Sequence, residues 1–338
     1  MRRPLTWPVS EIPGTRLMHG EWAAMPVNGP VELRRELDVI LASAQGWDGV
    51  FAAWTRLVQL TGALKRGLPA DGWETARETV RSHPLHALAL EDPFTRHSWD
   101  KPRGYSGDGA MIDHVYRLGD APGLVHAASA AGRDVNTFVT GADTCVAVRE
   151  RLHLLARLVD ATAERAARAE ILALGCGHLR EAAYSQAVAD GALNRWLALD
   201  RDTQSVEEMT RSYAHRPCIL PVKSTVGRLM VRPGVYGRFD LIYAAGLYEY
   251  LDDQTTVLLS RALLQSLKPG GRLLFANFVT DLRDEGYMDA CMDWRVAQRD
   301  ESAIQAIVDA LPQAELAHTR VFRGNNRNVV YGLLTKRR

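Results

Sequence analysis

Helical spacing governs the first half of the chain, and short apolar runs govern the second. Leu33, Leu37, Ile40 and Leu41 recur at three and four positions, the period of one helix face. Phe51, Trp54 and Val58 continue that period after a break at Gly46. A third helix is predicted over 71–82, stopping before Pro84, because a residue preceding proline avoids the helical region. A long helix is predicted over 141–168, with Val148, Leu152, Leu155 and Val159 on one face and Arg and Glu on the other. Residues 1–30 are rich in Pro, Gly and Trp and show no period, which predicts an arm that wraps the body or stays partly loose. The stretch 91–119 is dense in turn formers, polar groups and aromatics, and irregular structure is predicted there.

After Ala169 the grammar changes. Apolar runs at 171–174, 196–199, 218–222, 239–243, 272–278 and 329–334 alternate with helical stretches such as 255–267 and 302–311. Strand–helix alternation predicts a mainly parallel sheet with helices on both faces. The expected boundary falls near residue 140, dividing a helical N-terminal cap or substrate-binding region (1–140) from an α/β part (141–338). There is no internal repeat and no low-complexity tract.

Composition narrows the class. The 338 residues are 46% hydrophobic, enough for a substantial core. Lys plus Arg number 41 against 40 for Asp plus Glu, so the broad basic field of a non-specific nucleic-acid binder is missing. No apolar run approaches the roughly 18 residues of a membrane span, and the opening Met-Arg-Arg-Pro-Leu-Thr-Trp-Pro has no apolar run behind its charges. Cys145, Cys176, Cys218 and Cys291 are scattered, with no Cys-x-x-Cys pair. That spacing predicts no metal site and no disulfide framework, and it fits a reduced cytoplasmic protein.

The candidate chemistry starts at Leu174-Gly175-Cys176-Gly177-His178-Leu179-Arg180-Glu181. Two glycines straight after a strand let the main chain approach a ligand closely, although a tight turn without a ligand would use them too. The second strand, 196–199, ends in Asp200, a carboxylate placed to accept hydrogen bonds from both hydroxyls of a ribose. Turn and acid together point to a nucleoside-containing cofactor. A dinucleotide fingerprint would need glycine at position 180, which is Arg180, so that the helix N-terminus could meet a pyrophosphate. No Gly-Lys-Ser/Thr comes after the turn, so there is no P-loop. S-adenosylmethionine carries no phosphate and tolerates a fuller turn.

Two further segments agree: Phe239-Asp240-Leu241-Ile242-Tyr243-Ala244-Ala245-Gly246-Leu247-Tyr248 and Leu267-Lys268-Pro269-Gly270-Gly271-Arg272. The second reads as a helix end and a turn ahead of the fifth strand. In this order the motifs resemble the class I S-adenosylmethionine-dependent methyltransferases, over about 171–335. The resemblance implies a Rossmann-like sheet of seven mostly parallel strands whose last hairpin is antiparallel. Two departures stand out: the acid that such enzymes carry two before the first glycine is Ala173 here, and their third glycine is Leu179. The contact to the methionine amino group must then come from elsewhere.

Asp100-Lys101-Pro102-Arg103-Gly104-Tyr105-Ser106-Gly107-Asp108 narrows the resemblance. With Cys176-Gly177-His178-Leu179-Arg180-Glu181 and the segment 244–251, it is similar to a bacterial group named for 3-hydroxypalmitic acid methyl ester biosynthesis. That resemblance implies carboxyl O-methylation, with Arg103, Tyr105 and Asp108 over the cofactor cleft as a lid or anchor. The candidate cofactor contacts are Gly175, Cys176, Gly177, Asp200, Arg201, Ser224, Thr225, Ala245 and Arg103. Tyr105, Asp108, Tyr248 and Glu249 are the catalytic candidates, because a nucleophile that must lose a proton wants a carboxylate, His or Tyr beside it. Asp113, His114, Asn277, Tyr287 and Trp294 are the candidates for the acceptor wall. The acidic set Asp108, Asp113, Glu249 and Asp293 keeps N-methylation of an amino-acid or guanidino substrate open. An RNA methyltransferase and a non-catalytic cofactor-binding protein remain further alternatives. A small-molecule acceptor is expected, with no nucleic-acid or membrane partner, and the helical part suits a lid or a homodimer surface.

Overall fold

The computed structural model describes residues 29–338, so the predicted arm, through residue 28, lies outside the described residues. The first helices follow the apolar spacing. α1 (Pro30–Ser43) starts on a proline and buries Leu33, Leu37 and Ile40. α2 (Gly46–Gly67) buries Val50, Trp54, Leu57 and Val58, and α3 (Ala70–Arg81) stops one residue short of the predicted end. α4 (Pro84–Ala89) begins on the proline that halts α3.

The stretch 91–119 corrects the expectation of irregular structure. α5 (Pro93–Asp100) and α6 (Gly109–Tyr116) occupy much of it, and α7 (Ala121–Ala127) comes next. An aspartate builds each of the first two starts. Asp92 accepts from the N–H groups of Phe94 and Thr95 at 2.9 and 3.0 Å, and Asp108 accepts from those of Ala110 and Met111, both at 2.9 Å. Only 101–108 between them is irregular, with Lys101, Gly104 and Gly107 at φ 47°, 84° and 82°. α8 (Ala130–Gly141) and α9 (Asp143–Ala163) then meet at Ala142. α9 ends five residues before the predicted 168. It also corrects the reading that its Arg and Glu all lie on the face opposite the apolar one, because Arg151 is buried. Arg151 lies three after Val148 and four before Leu155, so helical spacing sets it on the apolar stripe.

The sheet comprises β1 (Ala169–Leu174), β2 (Leu193–Asp200), β3 (Ile219–Lys223), β4 (Phe239–Ala244), β5 (Leu267–Phe278), β6 (Leu316–Arg323) and β7 (Val329–Lys336). Their order is β3-β2-β1-β4-β5-β7-β6. The pairs among β1 to β5 are parallel, whereas β7 runs antiparallel to β5 and to β6. This is the Rossmann-like sheet with an antiparallel last hairpin that the sequence predicts. Between the strands stand α10 (Gln186–Ala189), α11 (Thr203–Ser212), α12 (Val226–Val231), α13 (Asp253–Gln265), α14 (Glu285–Met292) and α15 (Glu301–Asp309). β6 lies at the sheet edge with only Leu316 buried, and its apolar residues come in separated pairs, so no apolar run marks it. The Lys268–Gly271 stretch is a break inside β5 rather than a turn ahead of it: the register with β4 steps from Phe239↔Leu267 to Leu241↔Arg272.

Two features of this architecture position the site. Strand order reverses at β1 and β4, which pair as Ile171↔Leu241, so the loops leaving them diverge over a crevice at the carboxyl edge. The layer of helices is locked to the sheet by α14, which leaves β5 and packs on α2 and α3. A Cβ at Gly286 would lie 2.2 Å from the main chain of Thr61, so the α14 and α2 backbones touch there. Asp289 on α14 accepts from Lys65 at 2.6 Å and from the Trp73 ring N–H at 2.9 Å.

Candidate active site

β1 delivers its last residue, Leu174, into Gly175 and Gly177, both left-handed at φ 55° and 54°. The Gly175 N–H donates to the Leu199 carbonyl at 2.9 Å, and the Gly177 N–H to Asp200 Oδ2 at 2.8 Å. Asp200 Oδ1 accepts the Asp202 N–H at 2.9 Å. Each Asp200 oxygen therefore keeps lone-pair capacity for an incoming hydroxyl. Burial pushes this carboxyl up, against the N–H groups of Asp202 and Gly177 that favour its charge.

A cleft of about 300 Å³ opens beside this carboxylate. Leu199, Val226, Leu247 and Leu251 supply apolar wall, Ser224 and Thr225 a polar edge, and Gly175, Gly177 and Gly246 bare main chain. Tyr105 and Arg201 also line it, the guanidinium 4.2 Å from the ring centroid.

A second space of about 70 Å³ lies on the other side of the glycine turn and shares Gly107, Gly109, Leu174, Gly175, Gly177, Gly246 and Tyr250 with the cleft. Val148, Leu155 and Phe278 give it apolar wall, and Arg151, Glu181, Tyr243 and Glu249 give it polar groups. Glu181 accepts the Tyr243 hydroxyl at 2.5 Å. Glu249 Oε1 stands 3.8 Å from Arg151 Nη1, too far for a hydrogen bond, and Glu249 Oε2 is buried with no partner among the described residues. Burial raises the Glu249 carboxyl to about 7, although Arg151 and Arg299 act to lower it.

The predicted cofactor contacts divide between these spaces. Gly175, Gly177, Asp200, Arg201, Ser224 and Thr225 line the cleft, and Cys176 and Ala245 line the second chamber together with both glycines. Arg103 lines neither. Its Nη1 donates to Asp202 Oδ2 at 2.6 Å and to Ser205 Oγ at 2.9 Å, fastening the 101–108 segment across the cleft mouth.

The catalytic candidates separate further. Tyr105 faces the cleft and Glu249 the chamber. Asp108 is fully buried, caps α6 and accepts from His97 Nε2 at 2.9 Å. Burial opposes its charge, but His97, the Met111 N–H and Arg103 hold its carboxyl below the usual range. Tyr248 is packed in the core, stacked on Phe275 at 4.7 Å, with its hydroxyl 2.8 Å from Ser260 Oγ.

Of the acceptor-wall candidates, Asp113 and Trp294 line the chamber. Both Asp113 oxygens are engaged: Arg180 donates at 2.6 and 2.8 Å, and His178 Nδ1 stands at 2.8 Å. Arg180 and His178 hold this carboxyl low against the desolvation of burial. His114 is buried beside Phe94 and His97, and burial followed by the His97 charge depresses it to about 4, so it is neutral. Asn277 is spent on the Phe278 and Ala297 carbonyls and on Arg299. Tyr287 lines a separate small apolar hollow, about 10 Å³, that also touches Trp294. Asp293 is paired with Lys101 and with Arg81.

Sequence reading missed Arg151, Tyr243, Tyr250 and the glycines 107 and 109. Arg151 carried a signal, a cation on an apolar helical stripe. Gly107 and Gly109 carried one only in three dimensions. A Cβ at Gly107 would lie 2.0 Å from the Tyr250 hydroxyl, and one at Gly109 would lie 2.7 Å from the His178 ring.

No family model matches this sequence, and no curated protein matches it. Among solved structures, a possible exported protein from Bordetella parapertussis is 15% identical, with a TM-score of 0.56, covering 90% of this chain and 97% of that one. N-methyltransferase NodS from Bradyrhizobium japonicum, bound to S-adenosyl-L-homocysteine, is 18% identical with a TM-score of 0.41, covering 56% of this chain and 87% of that one. Magnesium protoporphyrin IX methyltransferase from Synechocystis is 13% identical with a TM-score of 0.44, covering 60% and 87%. At these identities, the Bordetella likeness speaks for the fold.

Proposed function

We propose that this chain transfers a methyl group from S-adenosylmethionine to a small molecule, at a carboxylate oxygen. One observation carries the reading: two spaces of different character meet at the Gly175–Gly177 turn, the larger flanked by a strand-tip carboxylate with lone pairs to spare. The residues present fit the cofactor. Asp200 would take the ribose hydroxyls, and Leu199, Val226 and Leu251 would take the purine faces, with Ser224 and Thr225 at its edge. The segment after the turn also fits. Residues 180–184 form a single 3-10 turn, and Arg180 is committed to Asp113, so no α-helix N-terminus follows the glycines directly to hold a pyrophosphate.

When bound, the cofactor supplies a methyl group already activated by its positive sulfur. The protein's part is to align the acceptor and exclude water. The 101–108 segment, fastened by Arg103, roofs the cleft with Tyr105, and Tyr250 is oriented by the Trp294 ring N–H at 2.9 Å. Three of the carboxylates near the site are spent: Asp108 and Asp113 on side-chain partners and N–H groups, and Asp200 on two N–H groups. Glu249, raised to about 7, is the one of the four within the range of a general base. An acceptor that enters already ionised needs none of them, and a carboxylate is such an acceptor, in agreement with the resemblance. The same pairing leaves Asp108, Asp113 and Asp293 poorly placed to bind a cationic guanidino substrate.

Calorimetric titration with S-adenosylhomocysteine tests the reading. The unaltered chain is expected to bind, and Asp200→Ala to lose at least a hundredfold in affinity, as fits the loss of two charge-assisted hydrogen bonds worth about 1.5–3 kcal/mol each. Absence of heat with the unaltered chain would refute the proposal.

A further inference from the structure

The chamber beyond the glycine turn has features that a nucleoside cleft does not need. Arg151 reaches it from α9, the helix ahead of β1, and Glu249 reaches it from the short 3-10 turn after β4. Both are buried, at 7% and 4% exposure, and they face each other across a gap too long for a direct bond. The Arg151 guanidinium also faces the Gly246 main chain, where a Cβ would lie 3.6 Å from Nη2. Burying a cation and a carboxyl without closing the pair is costly unless something else completes their hydrogen bonds. Glu249 Oε2, with no partner among the described residues, marks where that completion is missing.

Size and position restrict what can enter. At about 10–15 Å³ per water-sized site, 70 Å³ holds about five such sites, the scale of an α-amino-carboxylate group. The chamber joins the larger cleft through Gly175, Gly177 and Gly246, so a ligand seated beside Asp200 could extend into it past bare main chain. β1 itself offers no acid there, since the inward residue two before Gly175 is the fully buried Ala173.

We infer that Arg151 and Glu249 form a zwitterion clamp for the amino-acid end of the bound nucleoside thioether or sulfonium, Arg151 taking the carboxylate and Glu249 the ammonium. This rests on the proposed cofactor. It means that the helix ahead of β1 contributes a cofactor ligand, so the strand-end loops alone do not make a complete site. The charges also balance: an incoming carboxylate satisfies the guanidinium, and an incoming ammonium ionises the Glu249 carboxyl and meets its free oxygen. Tyr116 lines the same space.

The test compares S-adenosylhomocysteine with 5′-methylthioadenosine, which keeps the nucleoside and thioether but lacks the amino-acid end. In calorimetric titrations, Arg151→Met and Glu249→Gln are each expected to weaken S-adenosylhomocysteine tenfold or more and to leave 5′-methylthioadenosine within twofold. Binding of the shorter ligand certifies an intact cleft in each variant. Should a variant fail to fold, the unaltered chain answers the same question with decarboxylated S-adenosylhomocysteine, expected to bind at least tenfold more weakly than the parent. Equal losses for both ligands, or no loss for either, would overturn the clamp. A chain that binds neither nucleoside refutes the cofactor reading itself, a different result from binding both with equal affinity.

Discussion

Arg103 Nη1 donates to Asp202 Oδ2 at 2.6 Å, and that bond, with a second to Ser205 Oγ at 2.9 Å, joins the irregular 101–108 segment to the start of α11, two residues beyond the strand-tip carboxylate. Asp202 already accepts the N–H groups of Gln204 and Ser205 at 3.1 Å each, so its position is set by the helix it caps. The roof of the cleft is therefore indexed to the floor that would hold the ribose. A second tie comes from Lys101, paired with Asp293, and a third from Ser106, whose hydroxyl donates to the Ser98 carbonyl at 3.1 Å.

Removing the first tie should loosen the roof without dismantling the cleft. The Arg103 and Asp202 side chains are about one-tenth exposed, a setting in which a charge-assisted hydrogen bond is worth about 1.5–3 kcal/mol. Arg103→Met is expected to speed amide hydrogen exchange across 101–108 and to weaken 5′-methylthioadenosine about tenfold, with β1 and β2 still protected. Exchange identical to the unaltered chain would mean that Lys101 and Ser106 hold the segment by themselves.

Gly107 is the position where the roof tolerates no side chain. Its φ is 82°, a region costing an L-residue roughly 1–2 kcal/mol. An added Cβ would also strike the Tyr250 hydroxyl, which orients with Trp294 between both spaces. Gly107→Ala is expected to lower the melting temperature by several degrees and to abolish measurable nucleoside binding. Gly104→Ala is the control: φ is 84° but the space is open, so the backbone penalty remains while binding survives. Equal binding by the two variants would remove the steric argument.

Glu249 gives the clamp a pH signature. Burial raises its carboxyl from an ordinary 4.5 to about 7 in the ligand-free protein. The fold thus keeps a proton that the unfolded chain has released, and this group weakens the fold as pH rises from about 4.5 to 7. The groups facing it are Arg151 from α9, Arg299 from the segment after α14, Tyr331 from β7 and Tyr250 beside it. An ammonium seated there would ionise it. S-adenosylhomocysteine binding should then release close to one proton at pH 6 and little at pH 8. Calorimetry in buffers of different ionisation enthalpy reads that number, and 5′-methylthioadenosine should release none. Equal proton release by the two ligands would assign the ionisation to another group.

Much of the framework is legible in the residues because it rests on local periods. The stripes of α1, α2 and α3 appear as apolar spacing, and the central strands appear as short apolar runs between helices. The Gly175–Gly177 turn and Asp200 can be read for a similar reason, since each sits at the end of a buried strand whose alternation with helices fixes which edge it occupies. The caps at Asp92 and Asp108 are also present in the sequence, but glycines and prolines nearby mask them, so two helices read as loop. β6 escapes because an edge strand, little buried, needs no continuous apolar run.

The chain's own residue order determined a mostly parallel sheet, its glycine turn and the acid beside it, since these arise from hydrogen-bonding periods and backbone freedom over a few residues. Tertiary structure alone decided which charges stay available. Asp108 and Asp113 meet their partners through contacts with His97, His178 and Arg180, whereas Glu249 meets Arg151 at a distance that leaves an oxygen unpaired. Whether a carboxylate is spent or free depends on partners brought close by packing, over separations of up to about a hundred residues, and no local pattern encodes that distance.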